Sequence, residues 1–123
     1  MRFLSTKIHG IIDYVFGLLL IAAPQIFHFD GKDKAASISL ATGVVVIGYG
    51  LFTNYELSIF KGIPMAGHLL LDLLVGVFLI TSPWLFGFAD DVYLPQVVLG
   101  VFAIVASLIT KTHSEVPQAS AMM

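Results

Sequence analysis

The chain has 123 residues, a formal net charge of −2 and no cysteine, and 58% of its residues are hydrophobic against 11% charged. Soluble domains average roughly 45 to 50% apolar and about 25% charged, so these few charges cannot cover a water-facing surface, and a mean hydropathy of +0.95 agrees. Disulfides, thiolate metal sites, cysteine nucleophiles and iron–sulfur clusters are excluded, and the scattered Lys and Arg residues offer nucleic acid no basic stripe.

The first apolar stretch runs from about Ser5 to Ala23, within "MRFLSTKIHGIIDYVFGLLLIAAP". A basic start and an apolar run resemble a signal peptide, but His9 and Asp13 interrupt the apolar region and Pro24 follows the small residues where cleavage would fall. It is therefore expected to stay as a membrane span. After "FDGKDK" a second stretch covers about Ala36 to Thr53, and after "TNYELSIFKGIP" a third covers about Pro64 to Ser82. Beyond "ADDVYLP" a fourth covers about Leu94 to Thr110, and residues 114–123, "SEVPQASAMM", read as a frayed polar tail. Each stretch is close to the ~20 residues that carry a helix across ~30 Å of hydrocarbon. Polar residues do not alternate with period two, which argues against a membrane barrel. Pro64 and Pro95 fall at helix starts, where a missing N–H costs nothing.

Shifting the chain by 59 positions lays His9 on His68, Asp13 on Asp72, Gly17 on Gly76, Leu20 on Leu79, Ile21 on Ile80, Pro24 on Pro83, Phe27 on Phe86 and Phe29 on Phe88. Shared greasiness does not produce that set. With a shift of 57, Gly43 meets Gly100, Ile47 meets Ile104, Leu51 meets Leu108 and Thr53 meets Thr110. The expected fold is all-α: one membrane domain, residues 1–123, forming a four-transmembrane-helix bundle from two tandem helical hairpins, 5–56 and 64–113. Their natural symmetry is a pseudo-twofold axis along the membrane normal. Arg2, Lys7, Lys61 and Lys111 lie on the side of the termini and Lys32 and Lys34 on the other, which puts both termini in the cytoplasm. Phe27, Phe29, Trp84, Phe86, Phe88 and Tyr93 are expected to form the outer aromatic belt, with Tyr55 and Phe60 a thinner inner one.

Residues four apart on a helix share a face, so His9 with Asp13, and His68 with Asp72, each make a polar patch that Gly17 or Gly76 continues one turn further. An aspartate at the centre of an inserting helix costs roughly 2.5 to 3.5 kcal/mol, and each large apolar residue returns about 0.3 to 0.6. The helix can carry that cost but cannot leave the carboxylate facing lipid. Two patches about a twofold axis converge on a cluster near the termini side, with Asn54, Tyr55 and Glu56 as candidate additions. One reading is structural, the cluster fixing helix rotation. The other is functional: a divalent metal or haem held by His9 and His68, or the passage of protons or small solutes. No nucleophile elbow or phosphate-binding glycine loop is present, so no enzyme activity is expected. No cofactor is expected on the structural reading, and the partners are the bilayer, a second copy or another membrane protein. Pro24 and Pro83 kink or end their helices, Trp84 anchors at the interface, and Gly43, Gly48 and Gly50 are close-packing positions. His28 and His113 read as solvated.

The second unit's "SPWLFGFAD", following "HLLLD" on the same helix, resembles the SPW repeat family of small prokaryotic membrane proteins, in which the triplet lies in the first helix of each repeat. Here the triplet is Ser82, Pro83 and Trp84; the first unit reads Ala23, Pro24, Gln25 and keeps the proline alone. The resemblance extends from about Ile8 to Thr110 and includes "TNYEL" and "IPMAGH" between the units. It implies a repeat membrane fold in a prokaryotic inner membrane and assigns no biochemical activity.

Overall fold

In the computed structural model, which describes residues 2–113, the chain forms α1 (Thr6–Ile26), α2 (Asp33–Leu51), α3 (Met65–Leu85) and α4 (Leu94–Ile109). The expected polar tail, 114–123, lies outside the described residues. The first three helices, of 21, 19 and 21 residues, are long and apolar enough to cross a membrane. The fourth is shorter than expected: its 16 residues reach about 24 Å at ~1.5 Å per residue. Pro95 fixes its start late, after turns through Asp91, whereas α2 starts directly after Lys32.

Within each hairpin the helices meet backbone to backbone. A Cβ built on Gly43 would lie 2.5 Å from the Gly17 carbonyl oxygen, and one on Gly100 would lie 2.6 Å from that of Gly76. Glycine is required at these crossings because any side chain would force the helices apart. Gly17 and Gly76 thus serve the contact inside their own hairpin rather than the face that carries His and Asp. Gly48 is not a close-packing position, since nothing lies within 4 Å of a Cβ there, and Gly50 makes only ordinary contact with Tyr14.

Packing is extensive between α1 and α2 and between α3 and α4, and slighter between α2 and α3. Across the hairpins, Phe16, Leu20, Val46, Leu79, Leu99 and Ala103 form one core to which all four helices contribute. The loops after α1 and α3 leave their helices alike. The Phe29 amide donates to the Pro24 carbonyl at 2.8 Å and the Phe88 amide to that of Pro83 at 2.7 Å, with His28 and Gly87 at φ 60° and 74°. These are Schellman-type ends, in which a left-handed residue turns the chain back over the last helical turn. They tuck Phe29 and Phe88 inward, 2% and 3% exposed, against Ala23 and Ala35. Those two rings therefore close the core and do not join the expected belt, of whose residues Phe27, Trp84, Phe86 and Tyr93 are exposed at this end. At the other end Tyr55 is likewise buried, while Phe60 is exposed.

The termini end is laced in the same repeated way. Leu4 pairs with Thr110 and Ile63 with Thr53, as isolated bridges. The Leu4 amide donates to the Ile109 carbonyl (2.9 Å) and the Ile63 amide to that of Phe52 (2.7 Å); the Lys111 and Asn54 amides return bonds to Leu4 and Ile63. Every one of these partners corresponds under the two sequence shifts, so the contacts are consistent with the expected twofold relation.

Candidate functional site

One face of α1 carries His9 and Asp13, and the matching face of α3 carries His68 and Asp72, because residues four apart stack on a helix. The two faces meet in the bundle interior, where the four residues are 0%, 7%, 0% and 3% exposed. The short contacts cross between the helices. His9 Nε2 lies 2.7 Å from Asp72 Oδ2, and His68 Nε2 lies 2.5 Å from Asp13 Oδ2. The same nitrogens stand 3.3 Å from the aspartate on their own helix. Sequence spacing alone pairs each histidine with its helix neighbour; the packed helices pair it more closely with the other hairpin's carboxylate.

The outer nitrogen of each ring meets a threonine at the end of a second helix: His9 Nδ1 and Thr110 Oγ1 at 2.7 Å, His68 Nδ1 and Thr53 Oγ1 at 2.8 Å. Each threonine hydroxyl already donates backward, Thr53 to the Tyr49 carbonyl at 2.7 Å and Thr110 to the Ala106 carbonyl at 2.6 Å. A hydroxyl has one hydrogen, so both threonines accept, and both Nδ1 atoms carry the N–H. The Nε2 atoms are thereby turned on the carboxylates. The Tyr49 hydroxyl donates to the second oxygen, Oδ1, of Asp72, and the Tyr49 ring stands edge-on to the His68 ring at 5.0 Å.

Sequence reasoning brings together His9, Asp13, His68 and Asp72, and the structure does the same. Glu56 is not with them: it lies past the end of α2, over the first turn of α1, where Thr6 Oγ1 donates to its Oε1 at 2.7 Å. A carboxylate there suits the positive end of the α1 dipole. Asn54 and Tyr55 are both buried, and the Tyr55 ring lies 5.8 Å from that of His68. Thr53, Thr110 and Tyr49 are the additions. The threonine pair is visible in the repeat, whereas Tyr49 matches Ala106 and has no such signal.

The Ser-Pro-Trp triplet sits at the other end of the bundle. Pro83 has no N–H to give the Leu79 carbonyl four residues back, and Ser82 Oγ donates to that oxygen instead, at 2.8 Å. In the first hairpin Pro24 leaves the Leu20 carbonyl in the same position, and Ser39 Oγ of α2 donates to it at 2.6 Å. Ala23 can therefore replace the serine in the first unit without an orphaned carbonyl. Trp84, 60% exposed, lies against Tyr93 on the outside with ring centroids 5.9 Å apart. His28 and His113 are exposed.

Apolar helices paired into hairpins around a buried histidine–aspartate cluster define a small multi-span membrane protein. The model of the SPW repeat domain matches residues 7–110, and the chain belongs to the SPW repeat family. No curated protein and no solved structure matches it.

Proposed function

We propose that the protein is a non-catalytic structural or interaction module of the prokaryotic inner membrane, with both termini in the cytoplasm, and that the tetrad is the clasp between its hairpins. One observation carries this reading: each of the five close polar contacts around the tetrad joins one hairpin to the other. His9 reaches Asp72 and Thr110, His68 reaches Asp13 and Thr53, and Tyr49 reaches Asp72. Close helix approach is concentrated inside the hairpins, so a polar lock adds to the shared apolar core between them in lipid, where helix association has no hydrophobic drive. Two matched grooves of about 360 and 290 Å³, between α2 and α3 and between α1 and α4, are walled by apolar side chains such as Val45, Phe78, Val15 and Phe102. Acyl chains of the bilayer are the partner these walls suit.

The clasp is tested by unfolding the full chain in detergent. Removing one member of a buried ion pair leaves the other uncompensated and costs roughly 3 to 5 kcal/mol. His9→Ala and Asp13→Ala are expected to lower the unfolding midpoint by that equivalent, with His113→Ala, which changes an exposed side chain, as the unaffected control. Midpoints of His9→Ala and Asp13→Ala equal to that of the wild type would remove the clasp.

A further inference from the structure

Both Nδ1 atoms carry hydrogen toward the threonines, so the two Nε2 atoms, which become free donors to a metal once their protons leave, converge with two carboxylate oxygens on one small space lined by His9, Asp13, His68 and Asp72. Their ligand atoms all lie within 4.8 Å of one another. Two carboxylates inside a membrane bundle need two compensating positive charges, because an uncompensated pair at this depth is prohibitively costly. Two protons supply that charge, and so does one divalent cation. We propose that the tetrad is a closed, four-coordinate Zn²⁺ site formed by Nε2 of His9 and His68 and Oδ2 of Asp13 and Asp72. The inference rests on the clasp reading and gives the clasp its chemistry: zinc would be the atom through which the hairpins are joined.

Three features support zinc. First, tetrahedral bonds of about 2.0 to 2.2 Å set ligand atoms roughly 3.3 to 3.6 Å apart. Of the six ligand-atom pairs, the two same-helix ones already stand at 3.3 Å, the cross pairs at 2.5 and 2.7 Å need to open by about 1 Å, and the two pairs of like atoms, which lie within 4.8 Å, must settle to the same spacing. Second, the outer contacts are those of metal-bound histidines, whose free ring N–H is given to an acceptor that fixes ring and tautomer. Thr110 and Thr53 do this for His9 and His68. Third, the Tyr49 hydroxyl engages Asp72 Oδ1, which leaves that carboxylate one oxygen for a cation and favours low coordination. Calcium and magnesium favour six or more oxygen ligands, which two imidazoles among four donors do not provide. Haem fits poorly, since its macrocycle would have to occupy the space between the imidazoles into which the carboxylates reach.

The full chain, purified in detergent from zinc-supplemented cells, is expected to carry about one zinc per chain by elemental analysis. Its cobalt-substituted form is expected to show the visible bands of tetrahedral Co²⁺. A chelator should lower the unfolding midpoint, and added Zn²⁺ should restore it. His9→Ala with His68→Ala should abolish binding. In case that variant does not fold, Thr53→Val with Thr110→Val keeps all four ligands and removes their orienting contacts, and should weaken zinc affinity by 10- to 100-fold in competition with a chromogenic chelator. Protein without stoichiometric zinc, whose midpoint does not respond to added Zn²⁺, overturns the proposal. If His9→Ala alone still lowers the midpoint of that protein, the clasp stands and is held by protons; if it does not, the clasp falls as well.

Discussion

The carbonyls of Leu20 and Leu79 lose their helical donors to Pro24 and Pro83, and the chain repairs the two losses differently. A buried acceptor without a partner costs about 1 to 3 kcal/mol, so each repair matters on the scale of a whole domain's stability. Ser82 serves Leu79 from its own helix, and Ser39 serves Leu20 from the neighbouring one. At the position matching Ser39, α4 carries Gln96, buried, with no hydrogen-bond partner for its amide among the described residues. Serine is thus needed once per hairpin, and either helix can supply it. Ser82→Ala and Ser39→Ala are each expected to cost about 1 to 3 kcal/mol of unfolding free energy in detergent. The sharper expectation is rescue: Ala23→Ser placed in Ser39→Ala rebuilds in the first hairpin the local arrangement of the second, and should recover most of the loss. No recovery in the double variant would show that the serine serves something other than the carbonyl.

At the scale of elements, the hairpin depends on how closely two helix backbones approach. Gly17 against Gly43 and Gly76 against Gly100 bring each carbonyl to the partner glycine, leaving no space for a methyl group. Gly43→Ala and Gly100→Ala are expected to destabilise by about 1 to 3 kcal/mol, the usual cost of overpacking a filled contact. Gly48→Ala, on the same helix as Gly43 but facing open space, is the control, and should be neutral or gain up to about 1 kcal/mol in helix propensity. Equal effects at Gly43 and Gly48 would show that propensity, not the crossing, decides hairpin stability. The helix ends are just as specifically tied. Arg2 Nη1 donates to the Ser107 and Thr110 carbonyls at 2.8 Å each, satisfying the last turn of α4 from the chain's own N-terminal segment.

For the whole molecule, the Leu4–Thr110 and Ile63–Thr53 bridges tie the end of each hairpin to the entry of the other, so the order of the helices closes on itself. Both bridges lie at the end that holds Lys7, Lys61 and Lys111, and the opposite end holds the Lys32–Asp91 pair at 3.4 Å. Positive charge near the span ends sets orientation, and Asp and Glu count little, so the basic end should face the cytoplasm. The native chain has no cysteine, and a Cβ at Gly31 meets nothing within 4 Å. Gly31→Cys should therefore react with a membrane-impermeant thiol reagent in intact cells from which any outer membrane has been stripped. Labelling that appears only after lysis would invert the topology.

Much of this was legible in one dimension. The spans follow from apolar length, the repeat from matched His, Asp, Gly and Pro residues, and the polar faces from a four-residue spacing; each is a local property of the chain. Even Thr53 and Thr110 stood paired in the repeat, although nothing along the chain tied them to the histidines. Periodicity says which residues share a face, but helix rotation and approach decide what that face meets. That is why only the packed bundle could give the carboxylates to the opposite hairpin, send Gly17 and Gly76 to the crossings inside each hairpin, turn Phe29 and Phe88 inward, and leave Glu56 with Thr6.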